Sequence, residues 1–438
     1  MTDSSTALVF KSNLTTPSNT VLSTLALFHL PGVGATRYHK LIEWFGSAEA
    51  AVSGDRKLLN AAGVKPDAVK LLDDYLLNGL DSDIGRLIAR DLDWAEMPGN
   101  DVMVIDDHDY PPLLKHIDSP PPVLFIRGAR PLLGEPQLAI VGSRNPSIDG
   151  KENAYRFAKA IVNVGMTVTS GMALGVDGAA HRGAIDGNGH TVAVVGTGAD
   201  ITYPARHRAL STEIVERGVI LSELPLGTQP HPSNFPRRNR IISALSLGVL
   251  VVEASPKSGS LITAHCALDQ GREVYAIPGS IHNPMARGCH QLLRQGAKLV
   301  ESSEDIFEEI SSLLAFHQLM RNESTLPPSI NSSNANSSNT NPSITNSPSA
   351  DCSSIQLTAD LFTSEQIDDT QALATDLTES EKALLGFLGY DVVSVDLAVE
   401  RSELSAEEVS ILLMSLELKG LVQSVPGGFQ KVRDSITA

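Results

Sequence analysis

The chain has 438 residues, 42% of them hydrophobic, and carries a net charge of −17 at pH 7. This length and apolar content predict roughly two to four domains with substantial cores, which excludes a single small module. The three cysteines, Cys266, Cys289 and Cys352, lie far apart without CxxC spacing, which indicates a reducing compartment and argues against a disulfide framework or a zinc site.

Neither a leader nor a membrane segment is indicated. Met1–Thr20 is polar and lacks a basic start followed by an apolar core. No later stretch approaches about 18 uninterrupted apolar residues, the length that a spanning helix needs. We therefore expect a cytoplasmic protein without a membrane partner.

The acidity of the chain is unevenly distributed. Pro131–Val300 holds 16 Lys and Arg against 12 Asp and Glu, a balance of +4, so the remaining segments together carry −21. Phosphate binding needs Lys and Arg to replace released counterions. The middle of the chain is therefore the candidate region for an anionic ligand.

The N-terminal region, placed at residues 20–95, predicts a helical module. Leu30-Pro31-Gly32-Val33-Gly34 is similar to a helix-hairpin-helix turn, and a weaker copy lies at Ala62-Gly63-Val64. Glycines in such a turn permit positive φ and expose backbone N–H groups that can hold a DNA phosphate. The alternative is a tight turn used only for packing, and the sequence leaves both interpretations open.

Residues 105–312 predict a Rossmann-like α/β domain with a mostly parallel sheet. Short β-branched apolar runs alternate with amphipathic helical stretches, which is typical of a parallel sheet covered on both faces. Ligands of such sheets bind beyond the carboxyl ends of the strands, where helix N-termini point outward. The predicted strands are Leu138–Val141, Thr167–Thr169, Thr191–Val195, Val219–Ser222, Val249–Val252 and Val274–Ile277.

The turns after these strands match no nucleotide-cofactor fingerprint. Gly142-Ser143-Arg144-Asn145-Pro146 fails the G-x-G-x-x-G pattern of NAD sites, and Gly196-Thr197-Gly198 has Ile201 in place of the third glycine. Lys257-Ser258-Gly259-Ser260 has the composition of a P-loop in the wrong order. We therefore expect no cofactor.

Positive charge gathers at the same edge of the predicted sheet. Such a row suits a phosphate chain, because arginine offers a bidentate fork, lysine a mobile charge, and Ser and Gly amides an anion cradle. For a single arginine the alternative is a structural ion pair, in which Arg238 or Arg240 binds a carboxylate such as Glu223 or Glu253. The cations at this edge are Arg144, Arg237, Arg238, Arg240 and Lys257.

Asp177 and His181 share one helical face, a spacing that can serve acid–base chemistry. No nucleophile elbow, carboxylate metal cluster or HExxH motif accompanies them, so we assign both to helix capping and sheet packing. We expect no catalytic residue and no metal site, and thus a binding protein rather than an enzyme. The rival hypothesis is a Rossmann-like nucleotide-binding hydrolase, because a fold alone does not settle function.

Two segments follow the middle domain. Residues 322–374 are rich in Asn, Ser, Thr and Pro with few large apolar residues, which predicts a disordered linker. Residues 375–433 predict a winged helix, whose third helix, Ser405–Lys419, stands where a recognition helix would sit. The acidic outer face of this helix would repel DNA, which favours a protein-contact or regulatory role. Its acidic residues are Glu403, Glu407, Glu408 and Glu417.

Five short motifs occur in order through the middle domain: Ile140–Arg144, Ser170–Asp177, Phe235–Ser243, Ala254–Leu261 and Ala276–Gly279. This ordered set resembles the DNA-processing protein A family, also called DprA or Smf, and is far more specific than any single motif. The resemblance covers about Leu113 to Val300. The flanks fit the family's helical N-terminal module and C-terminal winged helix.

The resemblance implies a homodimer that binds single-stranded DNA, protects incoming DNA and loads the RecA recombinase during natural transformation and homologous recombination. Phe235 and Tyr203 are candidates for stacking on bases, with packing as the alternative for both and the favoured role for Tyr203. Carried over by position, the family's DNA-binding pocket comprises Gly142, Ser143, Arg144, Ser170, Gly171, Arg237, Arg238, Asn239, Arg240, Lys257, Ser258 and Gly259.

Overall fold

The computed structural model describes residues 17–311, 314, 377–388, 392–402, 404–425 and 427–432. The chain divides into two compact units, residues 1–306 with 378–438, and residues 307–377. The second unit is described at residues 307–311 and 314, which are helical, and at 377. The predicted linker at 322–374, Cys352 and Glu403 lie outside the described residues.

The N-terminal module is helical, as predicted, and each of its glycine turns joins two helices. Its helices are α1 (Asn19–His29), α2 (Ala35–Phe45), α3 (Ala48–Ser53), α4 (Arg56–Ala61), α5 (Pro66–Asn78) and α6 (Asp83–Ala95). Gly32 lies between α1 and α2 with φ of 82°, and Gly63 lies between α4 and α5 with φ of 94°. Glycine adopts this left-handed conformation without strain, which explains the residue type at both turns.

The middle domain is built on one large sheet. Its strands are β1 (Asn100–Val104), β2 (Val123–Gly128), β3 (Gln137–Gly142), β4 (Thr167–Ser170), β5 (Thr191–Val194), β6 (Val219–Ser222), β7 (Gly248–Val252), β8 (Glu273–Ala276) and β9 (Lys298–Leu299). Within the described residues the order is β1-β2-β6-β5-β4-β3-β7-β8-β9. The strands from β6 to β9 in this order are parallel, and β1 and β2 add an antiparallel edge.

The predicted mostly parallel α/β sheet is confirmed, and each predicted strand forms with its ends within one residue of the prediction. All residues of β4, β5, β6 and β7 are buried, as expected for strands covered on both faces. The helices that accompany the sheet are α7 (Pro112–Lys115), α8 (Ile148–Asn163), α9 (Val176–Asp186), α10 (Arg208–Arg217), α11 (Asn234–Ala244), α12 (Gly259–Asp269) and α13 (Arg287–Arg294).

The topology places a crevice at the end of β3. This strand lies between β4 and β7, so the chain adds later strands first on one side of β3 and then on the other. Loops that leave neighbouring strands in opposite directions at such a switch point open a crevice where ligands bind. The turn after β3 therefore lies at the position where a site is expected.

The C-terminal module has the predicted winged-helix order of helices and hairpin. Its elements are α14 (Glu379–Phe387), α15 (Val395–Ser402), α16 (Ala406–Leu418), β10 (Val422–Val425) and β11 (Gly428–Lys431). Capping boxes start α14 at Thr378 and α16 at Ser405. In the part of the chain that the structure describes, no helix combines the length and apolar character needed to cross a membrane.

Candidate functional site

The turn Gly142-Ser143-Arg144 follows β3 at the switch point and is fixed by close packing. A Cβ at Gly142 would lie 1.9 Å from the Val252 carbonyl oxygen of β7, so no larger residue fits there. Ser143 is buried, and its Oγ accepts a hydrogen bond of 3.1 Å from the Asn145 backbone N–H. Arg144 is exposed. The rigid turn thus presents one cation outward.

Arg238 lies beneath the next turn rather than at the surface. It is 6% exposed, donates a hydrogen bond of 2.6 Å to the Gly171 carbonyl oxygen, and donates a second to the Val194 carbonyl oxygen. Asp177 Oδ2 accepts the N–H groups of Gly171 at 3.1 Å and Ala173 at 3.2 Å. Arg238 and Asp177 therefore hold the turn after β4 in place. The sequence offered phosphate binding or a carboxylate ion pair for Arg238, and helix capping and sheet packing for Asp177.

Burial shifts the pKa values of both groups toward their neutral forms. Burial lowers the pKa of Arg238 to about 10, opposed by the nearby Asp177 and reinforced by Arg144. Burial also raises the pKa of Asp177, against the attraction of Arg238 and the two backbone hydrogen bonds. Because its pKa stays above neutrality, Arg238 is protonated at pH 7 and adds positive potential from below the turn.

An open cleft of about 90 Å³ lies above these turns, with Gly171, Leu174 and Arg238 among its lining residues. The Arg144 guanidinium carbon lies 5.8 Å from the Phe235 ring centroid. The Tyr203 ring lies 5.7 Å from the Phe235 ring, centroid to centroid, with 37° between their planes. Tyr203 is 44% exposed, so it is no core residue, and its packing contact is with the Phe235 ring at the turn.

The remaining predicted cations divide into a paired one and two exposed ones. Arg240 forms an ion pair with Glu223 and donates a hydrogen bond of 2.8 Å to the Ser119 carbonyl oxygen, so the alternative of a structural ion pair holds for Arg240. Arg237 and Lys257 are exposed. Across the described residues, the carboxylate ion pairs include none with Arg144, Arg237 or Lys257. Among the predicted site residues, these three are the cations open to an anionic ligand.

Other predicted site residues hold the backbone of the site together. Ser170 is buried, and its Oγ donates a hydrogen bond of 2.6 Å to a carbonyl oxygen of β3. Asn239 Nδ2 donates one of 3.2 Å to the Gly259 carbonyl oxygen, which ties α11 to the start of α12. Ser258 caps α12, since its Oγ accepts a backbone N–H at 3.3 Å. These residues position the turns and offer little side chain to a ligand.

His181 takes the packing role expected from the sequence. It is fully buried, and its Nδ1 lies 2.7 Å from the Thr191 hydroxyl of β5. Burial lowers the pKa of His181 to about 3, and repulsion from His207 and Arg238 adds to that shift. A neutral imidazole bonded to a strand stabilises the packing of α9 on the sheet.

The first glycine turn of the N-terminal module adjoins this edge of the sheet. A Cβ at Gly34, the residue before α2, would lie 4.0 Å from Arg237 Nη2. Two hydrogen bonds hold α2 against the loop before β2. One lies between the Thr36 and Ser119 hydroxyls at 3.0 Å, and the other between His39 Nε2 and the Pro120 carbonyl oxygen at 2.7 Å. The turn and Arg237 therefore share one surface, which no sequence motif indicated.

A second cleft, absent from the sequence prediction, is built around Glu253 and is also lined by Asp149. Glu253 follows β7 with φ of 53°, a strained conformation for a side chain of its size. Its carboxylate accepts the Ser147 N–H at 2.7 Å, the Ser147 hydroxyl at 2.6 Å and Asn283 Nδ2 at 3.0 Å. Asp149 is paired with Arg401, but the Glu253 carboxylate keeps this cleft negative, so the cleft at Arg144 is the candidate site for phosphate.

Fold and site together define a Rossmann-like α/β protein whose switch point carries an exposed cation and an aromatic pair. Residues 101–311 match the family model described as DNA recombination-mediator protein A, and residues 368–428 match the DprA winged helix domain. Protein Smf of Escherichia coli is 39% identical over 349 residues, which cover 80% of this chain and 82% of that protein.

Two further relatives agree. DNA processing protein DprA of Bacillus subtilis is 45% identical over 213 residues, which cover 48% of this chain and 72% of that protein. The X-ray structure of DprA from Streptococcus pneumoniae aligns with a TM-score of 0.57 and 33% identity, covering 67% of this chain and 98% of that one. The chain belongs to the DNA recombination-mediator protein A family, DprA/Smf, a family of DNA-processing proteins.

Proposed function

We propose that this protein binds single-stranded DNA in the cleft at the carboxyl ends of β3, β4 and β5, and that it acts as a binding protein rather than an enzyme. The observation that supports this most is the Arg144 guanidinium over the Phe235 ring, with Tyr203 beside it. A cation next to accessible aromatic faces suits a strand with unpaired bases, because phosphate and base are held at one place.

The phosphate chain contacts the three exposed cations, Arg144, Arg237 and Lys257. They follow β3, open α11 and follow β7, so they extend along the sheet edge rather than converge on one point. A polymer needs such a track, whereas a mononucleotide needs a closed pocket. Arg238 supports the track by holding the turn after β4 and by its buried positive charge.

The rival function, a nucleotide-binding hydrolase, requires an acid–base pair that faces its ligand. The pair considered for that role is Asp177 and His181. The Asp177 carboxylate accepts two backbone N–H groups, and His181 is fully buried against Thr191. Both side chains are thus engaged in structure, which supports the binding function over the hydrolase.

Family membership supports three further parts of the proposal. The DNA-bound protein is a homodimer in the cytoplasm, protects the incoming strand, and hands it to the RecA recombinase during natural transformation. Sequence preference on the strand is slight, because phosphate contacts position a strand without identifying its bases.

The test is fluorescence anisotropy of labelled oligothymidylate and of an equally long duplex, with the wild type and the Arg144→Ala, Lys257→Ala double variant. We expect preferential single-strand binding that the double variant loses. The matched control is the Lys70→Ala, Arg86→Ala double variant, which removes the same charge from exposed i,i+3 pairs on α5 and α6. Equal loss in both variants, or tighter binding of the duplex by the wild type, contradicts the proposal.

A further inference from the structure

The outer face of α16, the third helix of the winged-helix module, carries an exposed apolar stripe. Ile411 is 62% exposed, Met414 65% and Leu418 86%. Their spacing of three and four residues aligns them along one side of the helix. Two turns of the helix in the recognition position thus expose a continuous row of large apolar side chains to solvent. We call Ile411, Met414 and Leu418 the α16 stripe.

Folding of the module does not need the α16 stripe. The opposite side of α16 buries Val409, Leu413 and Leu416 almost completely, so the helix already has an apolar face for the core. A capping box between Ser405 and Glu408 fixes its start. Exposed apolar rows of this kind mark surfaces that contact a partner.

The negative charge around the α16 stripe limits which kind of partner can bind there. Glu407 lies one turn before Ile411 on the exposed side, and Glu417 is exposed beside Leu418. Residues 377–432 hold nine Asp and Glu against four Lys and Arg, a balance of −5. A DNA groove lined by phosphates is repelled by this surface. The same face of a second copy would bring the same acidic residues together and is repelled too.

The chain's own linker does not fit the stripe either. Residues 322–374 contain six Asp and Glu and no Lys or Arg, a balance of −6. An acidic segment gains no charge attraction from an acidic helix. Charge complementarity therefore selects a partner with positively charged residues around an apolar strip.

We propose that the α16 stripe is a docking surface for another protein, whose matching surface is an amphipathic segment with Lys or Arg beside its apolar side chains. Apolar contacts to Ile411, Met414 and Leu418 supply the affinity, and the flanking glutamates select the basic partner. The winged-helix module thus recruits a protein and does not read duplex DNA. This function is independent of the cleft at Arg144.

The test uses the full-length chain and two synthetic amphipathic helices of about 18 residues, five turns, as probes. Both probes carry the same leucine row, which is flanked by lysines in the basic probe and by glutamates in the acidic probe. We expect the basic probe to bind at least about tenfold more tightly, as measured by anisotropy. Equal affinity for the two probes overturns the proposal.

The Ile411→Ser, Met414→Ser, Leu418→Ser variant separates the stripe from general attraction to an acidic protein, because it keeps every charge. We expect this variant to bind the basic probe at least about tenfold more weakly. Leu77→Ser is the matched control, since Leu77 is 83% exposed on α5, outside the module. Unchanged affinity in the triple variant overturns the proposal.

Two further measurements on the triple variant address the other occupants. Loss of duplex binding relative to the wild type would mean that α16 binds duplex DNA. Loss of self-association in sedimentation would mean that α16 forms a contact between two copies of the chain. Either result overturns the proposal. We expect duplex binding and self-association to match the wild type.

Discussion

The Arg238 guanidinium fills the space beside Gly171, where a Cβ would lie 2.5 Å from Arg238 Nη1. Arg238 cannot withdraw without losing its hydrogen bonds to the Gly171 and Val194 carbonyl oxygens. Gly171 and Arg238 therefore together determine the shape of the turn after β4, which forms the floor of the cleft.

The first prediction follows from this contact. Gly171→Ala forces Arg238 or the turn to shift, so we expect the free energy of unfolding to fall by about 1–3 kcal/mol and single-strand affinity to fall with it. Gly134→Ala is the control, because a Cβ at Gly134 meets nothing within 4 Å. Denaturant unfolding and anisotropy measure the two effects. A Gly171→Ala protein as stable as the Gly134→Ala protein contradicts this account of the turn.

The second prediction concerns the salt dependence of binding. For single strands, the logarithm of the affinity falls against the logarithm of salt concentration with a slope of about −0.7 per phosphate neutralised. Replacing Arg144, Arg237 or Lys257 with alanine should each reduce the magnitude of that slope by about 0.7. Arg240→Ala should leave the slope unchanged, because the Arg240 charge is paired with Glu223. An equal change of slope in all four variants would show that the paired Arg240 neutralises a phosphate just as the three exposed cations do.

That division between arginines is what the sequence did not reveal. Arg237, Arg238 and Arg240 lie within one turn of α11, and successive residues of a helix point in different directions. One arginine faces the sheet, one the Glu223 carboxylate and one solvent. The rotation of α11 against β4 and β5 decides which arginine takes which position. A run of like residues therefore predicts the presence of a basic edge but not the role of each member.

The sheet was predictable to different degrees for a related reason. β7 is buried along its whole length and has a continuous apolar sequence, the signature of a central parallel strand. β1 begins with Asn100 and Asp101 and pairs antiparallel at the sheet edge, so its pattern is weaker. β9 spans Lys298–Leu299 alone, which is too short for any periodicity. The sequence offered Glu253 as an ion-pair partner of Arg238 or Arg240, but it instead accepts hydrogen bonds from Ser147 and Asn283, a role that depends on its positive φ.

The third prediction is a pH dependence of stability from His181. Its folded-state pKa, about 3, lies below the ordinary value of 6.5, so the unfolded chain binds a proton there before the folded chain does. The contribution of neutral His181 is fully present above pH 6.5 and is lost as the pH falls from 6.5 toward 3. Between pH 7.5 and 5, we expect the free energy of unfolding to fall less in His181→Gln than in the wild type.

Denaturant unfolding at the two pH values measures that fall for the wild type, for His181→Gln and for His108→Gln. His108 has a side chain that is 96% exposed and lies 3.9 Å from Asp109, so it controls for replacement of a histidine outside the packed sheet. The comparison cancels the carboxylates that titrate in the same range, because all three proteins share them. The same pH dependence in His181→Gln and the wild type would mean that the folded protein binds a proton at His181 as readily as the unfolded chain does.

The fourth prediction separates base stacking from phosphate binding in the cleft. Phe235→Leu keeps an apolar side chain but removes the flat face beside Arg144 and Tyr203, so affinity for oligothymidylate should fall by about 1–3 kcal/mol per stacked base with an unchanged salt slope. Tyr203→Phe should bind as the wild type does, because the ring is kept.

Trp44→Leu is the matched control for this effect. Trp44 also has a cation over its ring, with Lys40 Nζ 4.8 Å from the centroid, and it lies on α2 outside the cleft. Anisotropy over a salt series should show that Trp44→Leu retains the affinity that Phe235→Leu loses. A shallower slope in Phe235→Leu would mean that the ring acts by placing Arg144 on a phosphate, and full affinity would remove the ring from the site.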